Sequence, residues 1–150
     1  MTTDFKHTDL TEKIIEVFYK VYNTLGYGFL EKVYENSMAI ELRKSGIRYQ
    51  QQAPITVRYE NEVVGEHNAD LLIENLVIVE LKATKQLAEE HEAQLLNYLK
   101  ATTYEVGLLL NFGPKPEIKR KAFDNERKGG LSWINLSWTQ INSDDADKNK

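Results

Sequence analysis

The amino-acid sequence predicts an α/β domain in which a mixed sheet carries packed helices. Three observations lead there. Two stretches with apolar residues at helical spacing open the chain, and three strand-like runs joined by tight turns follow. A further helical stretch then separates the most apolar of those runs from a fourth strong strand. Tight turns make consecutive strands antiparallel, whereas a helix between two strands lets them run parallel, so the sheet is mixed.

The first helix is expected over residues 10–24, where Ile14, Phe18, Val21 and Leu25 form an apolar stripe. Asp9 and Glu12, three apart, have the spacing of a capping pair. Gly26-Tyr27-Gly28 interrupts this helix. The second is expected over 29–44, with Leu30, Val33, Tyr34, Met38 and Leu42 on one face and Ser45-Gly46 as its stop. Strands are expected over 55–59, 63–73 and 76–82, with turns at Glu60-Asn61-Glu62 and Glu74-Asn75. The third is apolar throughout and reads as a central strand. A helix over 88–101 and a strand over 104–111 follow, closed by Gly113-Pro114.

The length of 150 residues fits one domain, expected over 1–142, with 143–150 as a polar tail. A hydrophobic fraction of 41% and a charged fraction of 28% exclude a mostly disordered chain and a membrane bundle. The absence of cysteine excludes disulfides, thiolate metal sites and cysteine nucleophiles. No apolar run approaches the ~20 residues of a spanning helix, and no signal-peptide pattern opens the chain, so the expected location is cytoplasmic. Net charge is −4, but residues 115–128 carry +3, leaving −7 on the remainder. An acidic body with one basic segment, in which Lys119, Arg120 and Lys121 are adjacent, permits a polyanion partner.

Chemistry concentrates at Asp70 on one strand and Glu80-Leu81-Lys82 on the next. If the turn sets Ile73 opposite Leu76, Asp70 falls beside Val79 and Glu80. Period-two alternation puts Glu80 and Lys82 on one face. Two carboxylates so close repel each other, and a divalent cation with oxygen ligands relieves this. A lysine beside them can face a phosphate, which makes a chemically sensible phosphodiester-hydrolysis site. Taken alone, Asp…Glu-x-Lys is common by chance and also describes a solvated strand with a Glu–Lys pair. Its setting in an apolar strand favours paired or ion-bound charges.

The segment Gly28-Phe29-Leu30-Glu31-Lys32-Val33-Tyr34 resembles the motif of the GxxExxY proteins, a group within the PD-(D/E)xK nuclease superfamily. Ala69-Asp70-Leu71-Leu72, Val79-Glu80-Leu81-Lys82-Ala83, Gln94-Leu95-Leu96-Asn97-Tyr98-Leu99 and Gly107 to Gly113 resemble it too, in matching order across about residues 10–113. The resemblance implies a restriction-endonuclease-like α/β core, with a mixed central sheet flanked by helices. It implies a Mg2+- or Mn2+-dependent nuclease in which Asp70, Glu80, the Leu81 carbonyl and Glu31 hold the metal. Lys82 would orient the attacking water or offset transition-state charge. Gln94, Tyr98 and Tyr34 would support the site or contact phosphate. The sequence departs from the family pattern at Ala69, where the superfamily's name has proline, and at Tyr22, where histidine is expected.

The expected partner is nucleic acid, DNA ahead of RNA, contacted also by Lys119, Arg120 and Lys121. Specificity would come from a homodimer or a protein partner, since no specificity domain is visible within the 150 residues. The alternative is a non-catalytic nucleic-acid- or protein-binding module that keeps the nuclease fold. His67 and His91 lack partners at a recognised metal spacing and read as exposed histidines. Ser37 and Ser132 lack a nucleophile motif. Trp133 and Trp138 read as anchors of a terminal strand.

Overall fold

The computed structural model describes residues 6–128. Helices α1 (Thr8–Leu25) and α2 (Glu31–Lys44) precede strands β1 (Tyr49–Tyr59), β2 (Glu62–Ile73) and β3 (Val77–Lys82). Helix α3 (Glu89–Lys100) leads to β4 (Val106–Phe112) and β5 (Pro116–Ala122), and a short 3-10 turn spans Asn125–Arg127. The five strands lie in the order β1-β2-β3-β4-β5. Only β3 and β4, joined through α3, run parallel; the other neighbours are antiparallel. This is an α/β fold with a mixed central sheet flanked by helices, consistent with a restriction-endonuclease-like core.

The apolar spacing decides which side each helix covers. Ile14, Phe18, Tyr34, Met38 and Leu42 of α1 and α2 pack on Leu71, Val77, Val79, Leu81 and Leu108. Leu95 and Leu99 of α3 pack on the opposite face against Leu72, Ile78 and Leu109. With both faces covered, β3 and β4 are apolar at nearly every position, and the alternation shows only in which core each residue joins. Glu80 and Lys82 share the phase of Ile78, on the α3 side.

Several boundaries differ from the sequence expectation. Strand β1 begins at Tyr49, six residues early, because its first turn of pairing involves the polar Gln50 and Gln51, which carry no alternation signal. The basic segment contains a fifth strand, Pro116–Ala122, antiparallel to β4. The Asp9–Glu12 cap does not form: His7, with φ 56°, precedes the helix, and no side chain caps that end. Both hairpin turns occur where expected, through consecutive left-handed residues Glu60-Asn61 and Glu74-Asn75. At the second turn the Leu76 N–H donates to the Ile73 carbonyl (2.9 Å), so Ile73 opposes Val77 and not Leu76. The one-residue change aligns Leu71 with Val79. Ser132, Trp133, Trp138 and the expected tail at 143–150 lie outside the described residues.

Past β3, the chain is clamped by β4. The Asn111 side chain, fully buried, accepts from the Thr84 N–H (2.9 Å) and donates to the Thr84 carbonyl (3.1 Å) and to Glu117 (2.7 Å). Glu117 in turn accepts from the Leu87 N–H (2.9 Å). Gly113 permits this closeness, since a Cβ there would lie 2.2 Å from the Thr84 carbonyl oxygen and 2.9 Å from Asn111 Nδ2. Backbone cannot move aside as a side chain can. At Gly107 the nearest obstacle to a Cβ is Leu95 Cδ1 at 2.8 Å, which can rotate. Urea denaturation should therefore show Gly113→Ala losing about 2–3 kcal/mol and Gly107→Ala about 1 kcal/mol or less.

Candidate active site

The pairing of β2 with β3 ends at Leu71–Val79, although β2 extends back to Glu62 and β3 on to Lys82. Beyond that point, side chains replace the ladder. Asp70 Oδ2 accepts the Leu81 N–H at 2.7 Å. The Glu80 carboxyl group hydrogen-bonds with Asp70 and, through Oε2, meets His67 Nε2 at 2.8 Å. His67 stacks on Tyr98 of α3, with ring centroids 4.3 Å apart and planes inclined by 8°. Gln94 lies one helical turn before Tyr98, on the same helix face, and works against the rise of its hydroxyl.

Asp70 reaches this cluster because the β1–β2 ribbon turns over there. Leu71 packs in the α1/α2 core and Ala69 in the α3 core, although residues two apart in a regular strand share a face. On β1, Gln51 reaches Glu35 of α2 at 2.7 Å, whereas Ala53 joins the α3 core. Between them Gln52, aligned with Asp70, has φ 54°. A left-handed residue inside a strand is strained and persists only where its surroundings hold it. The Gln52 side chain supplies such a hold, donating to Glu35 Oε1 (2.8 Å) and contacting Asp70 Oδ1 (3.4 Å). Glu35 is 3% exposed, and Lys32 (3.1 Å), Gln51 and Gln52 satisfy its buried charge.

The electrostatics follow from this burial. Burial first, then the Asp70 charge and hydrogen bond, push the Glu80 carboxyl up to about 8; Lys82 opposes the shift and Glu31 adds slightly to it. Burial holds His67 below the usual histidine range, with Asp70 working against and Lys82 with that shift. Near neutral pH the Glu80–His67 contact thus joins two uncharged groups. Tyr98 is raised by burial and by Glu80.

The structure thus gathers Asp70, Glu80 and Lys82 as the sequence suggested, but other candidates sit differently. Lys82 is half-buried and not enclosed. Glu31 begins α2, is exposed, and reaches Glu80 only as a weak charge. Among the described residues, no group of three or more His, Cys, Asp or Glu side chains could hold a metal ion. Leu81 meets Asp70 through its N–H. Tyr34 is fully buried against Phe112 (4.1 Å, 12°), so it cannot touch a phosphate. Its hydroxyl donates to the Gly26 carbonyl (2.6 Å) and accepts the Phe29 N–H (3.2 Å), which fixes the loop before α2. Gly28, at φ 112°, supplies a conformation there that side chains disfavour.

The three basic candidates do not form one patch. Lys119 opposes Leu109 and Arg120 opposes Leu108, residues of opposite cores, so Arg120 lies on the other face from Lys119 and Lys121. Arg120 donates to the Lys6 carbonyl (2.6 Å), and Lys121 pairs with Glu92 (2.8 Å). Tyr22, the departure from the family pattern, bonds the Gly113 (2.6 Å) and Pro114 carbonyls and has its hydroxyl raised by burial.

Residues 8–121 match the PD-(D/E)XK nuclease superfamily. The chain belongs to that superfamily. The match runs from the start of α1 into β5. Among solved structures, the crystal structure of SSO0001 is similar at 16% identity and a TM-score of 0.49. The similarity covers 73% of this chain and 56% of that one, so the chain spans about half of that protein's length. No curated protein matches the sequence. No helix among the described residues is long and apolar enough to cross a membrane.

His67, Glu35 and Gln52 had no signal in the sequence. His67 and Asp70 are three apart, which in a regular strand means opposite faces. Only the turnover at Gln52 and Asp70 lets both address Glu80.

The raised Glu80 pKa gives a stability test in the metal-free protein. Between its ordinary value of 4.5 and about 8, the folded chain holds a proton that the unfolded chain releases. Stability should therefore fall as pH rises through that window and level off above it. In EDTA, Glu80→Gln should melt several degrees above the parent at pH 8.5, at about 2–4 °C for each kcal/mol, and close to it at pH 5. Thermal melts across that range check both.

Proposed function

We propose that the protein is a metal-dependent nuclease that hydrolyses phosphodiester bonds in nucleic acid, within the GxxExxY group of its superfamily. The observation that carries the reading is the contact between Asp70 and Glu80, with Lys82 on the same strand as Glu80. A buried carboxyl raised to about 8 has less countercharge beside it, Lys82 included, than its ionisation needs. Two oxygen donors in that condition fit a hard divalent cation of the Mg2+ or Mn2+ class. Asp70, Glu80 and the Leu81 carbonyl would hold it, while Glu31 stands apart and would act on it only as a nearby charge. When bound, the ion supplies positive charge against a scissile phosphate.

The chain's own groups have distinct tasks. Lys82, half-exposed, presents its ammonium to the attacking water or to the developing phosphate charge. His67 holds the Glu80 carboxyl in one orientation, and Tyr98, backed by Gln94, holds His67. Lys119, exposed on the α3 side, is placed to meet a strand approaching that face. The second reading is a binding module of the same fold. It is favoured by Glu31 standing apart from the carboxyl pair and by the division of the basic residues between two faces.

Labelled DNA and RNA incubated with Mg2+, Mn2+ or EDTA test the activity directly. Lys82→Met should retain Mn2+ binding by calorimetry yet cleave about a hundredfold more slowly or worse. Asp70→Asn should lose both. Cleavage by Lys82→Met at the parent rate removes the lysine from the mechanism, and nucleic-acid binding without cleavage by the parent leaves the binding module.

A further inference from the structure

The geometry points to Gln52 and Glu35 as a positioning pair that fixes the orientation of the Asp70 carboxylate, and so sets how tightly and how selectively the site takes a small divalent cation. The inference rests on the nuclease reading and adds to it the residues that govern which ion the site accepts.

Asp70 is met on both of its oxygens. Oδ2 accepts the Leu81 N–H at 2.7 Å, and Oδ1 lies 3.4 Å from Gln52 Nε2. The same Gln52 nitrogen donates to Glu35 Oε1 at 2.8 Å. An amide nitrogen carries two hydrogens, whereas an ionised carboxylate only accepts. One amide group can therefore bridge Glu35 and Asp70, and it does so only with its nitrogen turned toward them. Glu35 enforces that orientation. Its Oε2 is taken by Lys32 (3.1 Å) and Gln51 (2.7 Å), which leaves Oε1 to Gln52.

A role in folding alone does not account for this residue. Gln52 is exposed, so its side chain adds little to either core, yet it holds φ 54°. Glycine and asparagine take that conformation at lower cost. Asparagine, one methylene shorter, would lack the reach to both carboxylates. The strained backbone thus accompanies a bridge from a buried charge to a proposed metal ligand, and strain of this kind gathers at functional sites. The chemistry of the ion supplies the consequence. Mg2+ demands near-ideal octahedral geometry, whereas Ca2+ accepts more oxygens in a flexible shell. A carboxylate held at both oxygens favours the first over the second. Groups that orient a ligand without touching the metal change its affinity by about 10- to 100-fold.

The test is calorimetry with Mn2+ and with Ca2+ on the parent, Gln52→Asn, Gln52→Gly and Glu35→Gln. Melting in EDTA and Mg2+-dependent cleavage of labelled DNA and RNA are followed on the same preparations. Both Gln52 substitutions keep the left-handed backbone accessible and remove the bridge. Each should weaken Mn2+ binding about 10- to 100-fold and Ca2+ binding less, so that the ratio of the two affinities falls. Glu35→Gln should do the same by freeing the Gln52 amide to turn. Combined with Gln52→Gly it should weaken Mn2+ binding no further, because the two residues act through one bridge. If the loss of the buried Lys32–Glu35 pair unfolds Glu35→Gln, the exposed Gln52 variants decide the matter alone. Parent-like Mn2+ affinity in those variants overturns the proposal whatever their melting temperatures, and if the parent cleaves, the nuclease reading survives that failure. An equal loss for both ions also overturns it, the pair then being a staple of the fold. A selective loss of Mn2+ binding, with no cleavage by the parent, keeps the positioning pair and removes the nuclease. A parent that binds neither ion overturns both.

Discussion

Glu80 is a carboxyl group on a strand covered from both sides, in hydrogen-bonding contact with a second carboxyl group. Ionising both there is unfavourable, and burial together with the Asp70 charge pushes the Glu80 carboxyl up to about 8. Much of the surrounding structure serves that contact. His67 takes one side of the Glu80 carboxyl, Tyr98 fixes His67, and Asp70 spends its other oxygen on the Leu81 N–H.

The second support comes from the opposite side of the sheet. Glu35 would be a costly buried charge by itself, but Lys32, Gln51 and Gln52 satisfy it. Gln52 then extends the network to Asp70 through a strained backbone conformation. A chain of polar contacts thus connects α2 to the carboxyl pair, and α2 also starts at Glu31. The Gly28–Glu31–Tyr34 spacing acquires a physical meaning from this arrangement. Tyr34 anchors the loop from inside the core, Gly28 lets it turn, and Glu31 begins the helix.

The far end of the site is fixed by an unrelated device. Asn111 imitates a neighbouring strand for Thr84, and Gly113 leaves room for the approach. Lys82 lies at the start of the clamped segment, so its backbone is positioned by β4 and not by loop chemistry. The motif around Asn111 therefore reads as scaffold for the lysine.

The sequence by itself determined the element order, the parallel β3–β4 pair and the two hairpin turns, because apolar periodicity and turn-forming residues are local signals. It also placed Asp70, Glu80 and Lys82 together, since a hairpin of known turn brings its two strands into a narrow range of registers. It did not reveal β5, whose basic residues mask the alternation of a half-covered edge strand. Nor did it place His67, Glu35 and Gln52, or divide Lys119 and Lys121 from Arg120. Those depend on where a strand turns over and which face each residue meets. One left-handed residue at Gln52, held by side chains from another element, decides the first, and the pairing of β4 with β5 decides the second. Both are long-range contacts with no local pattern to announce them.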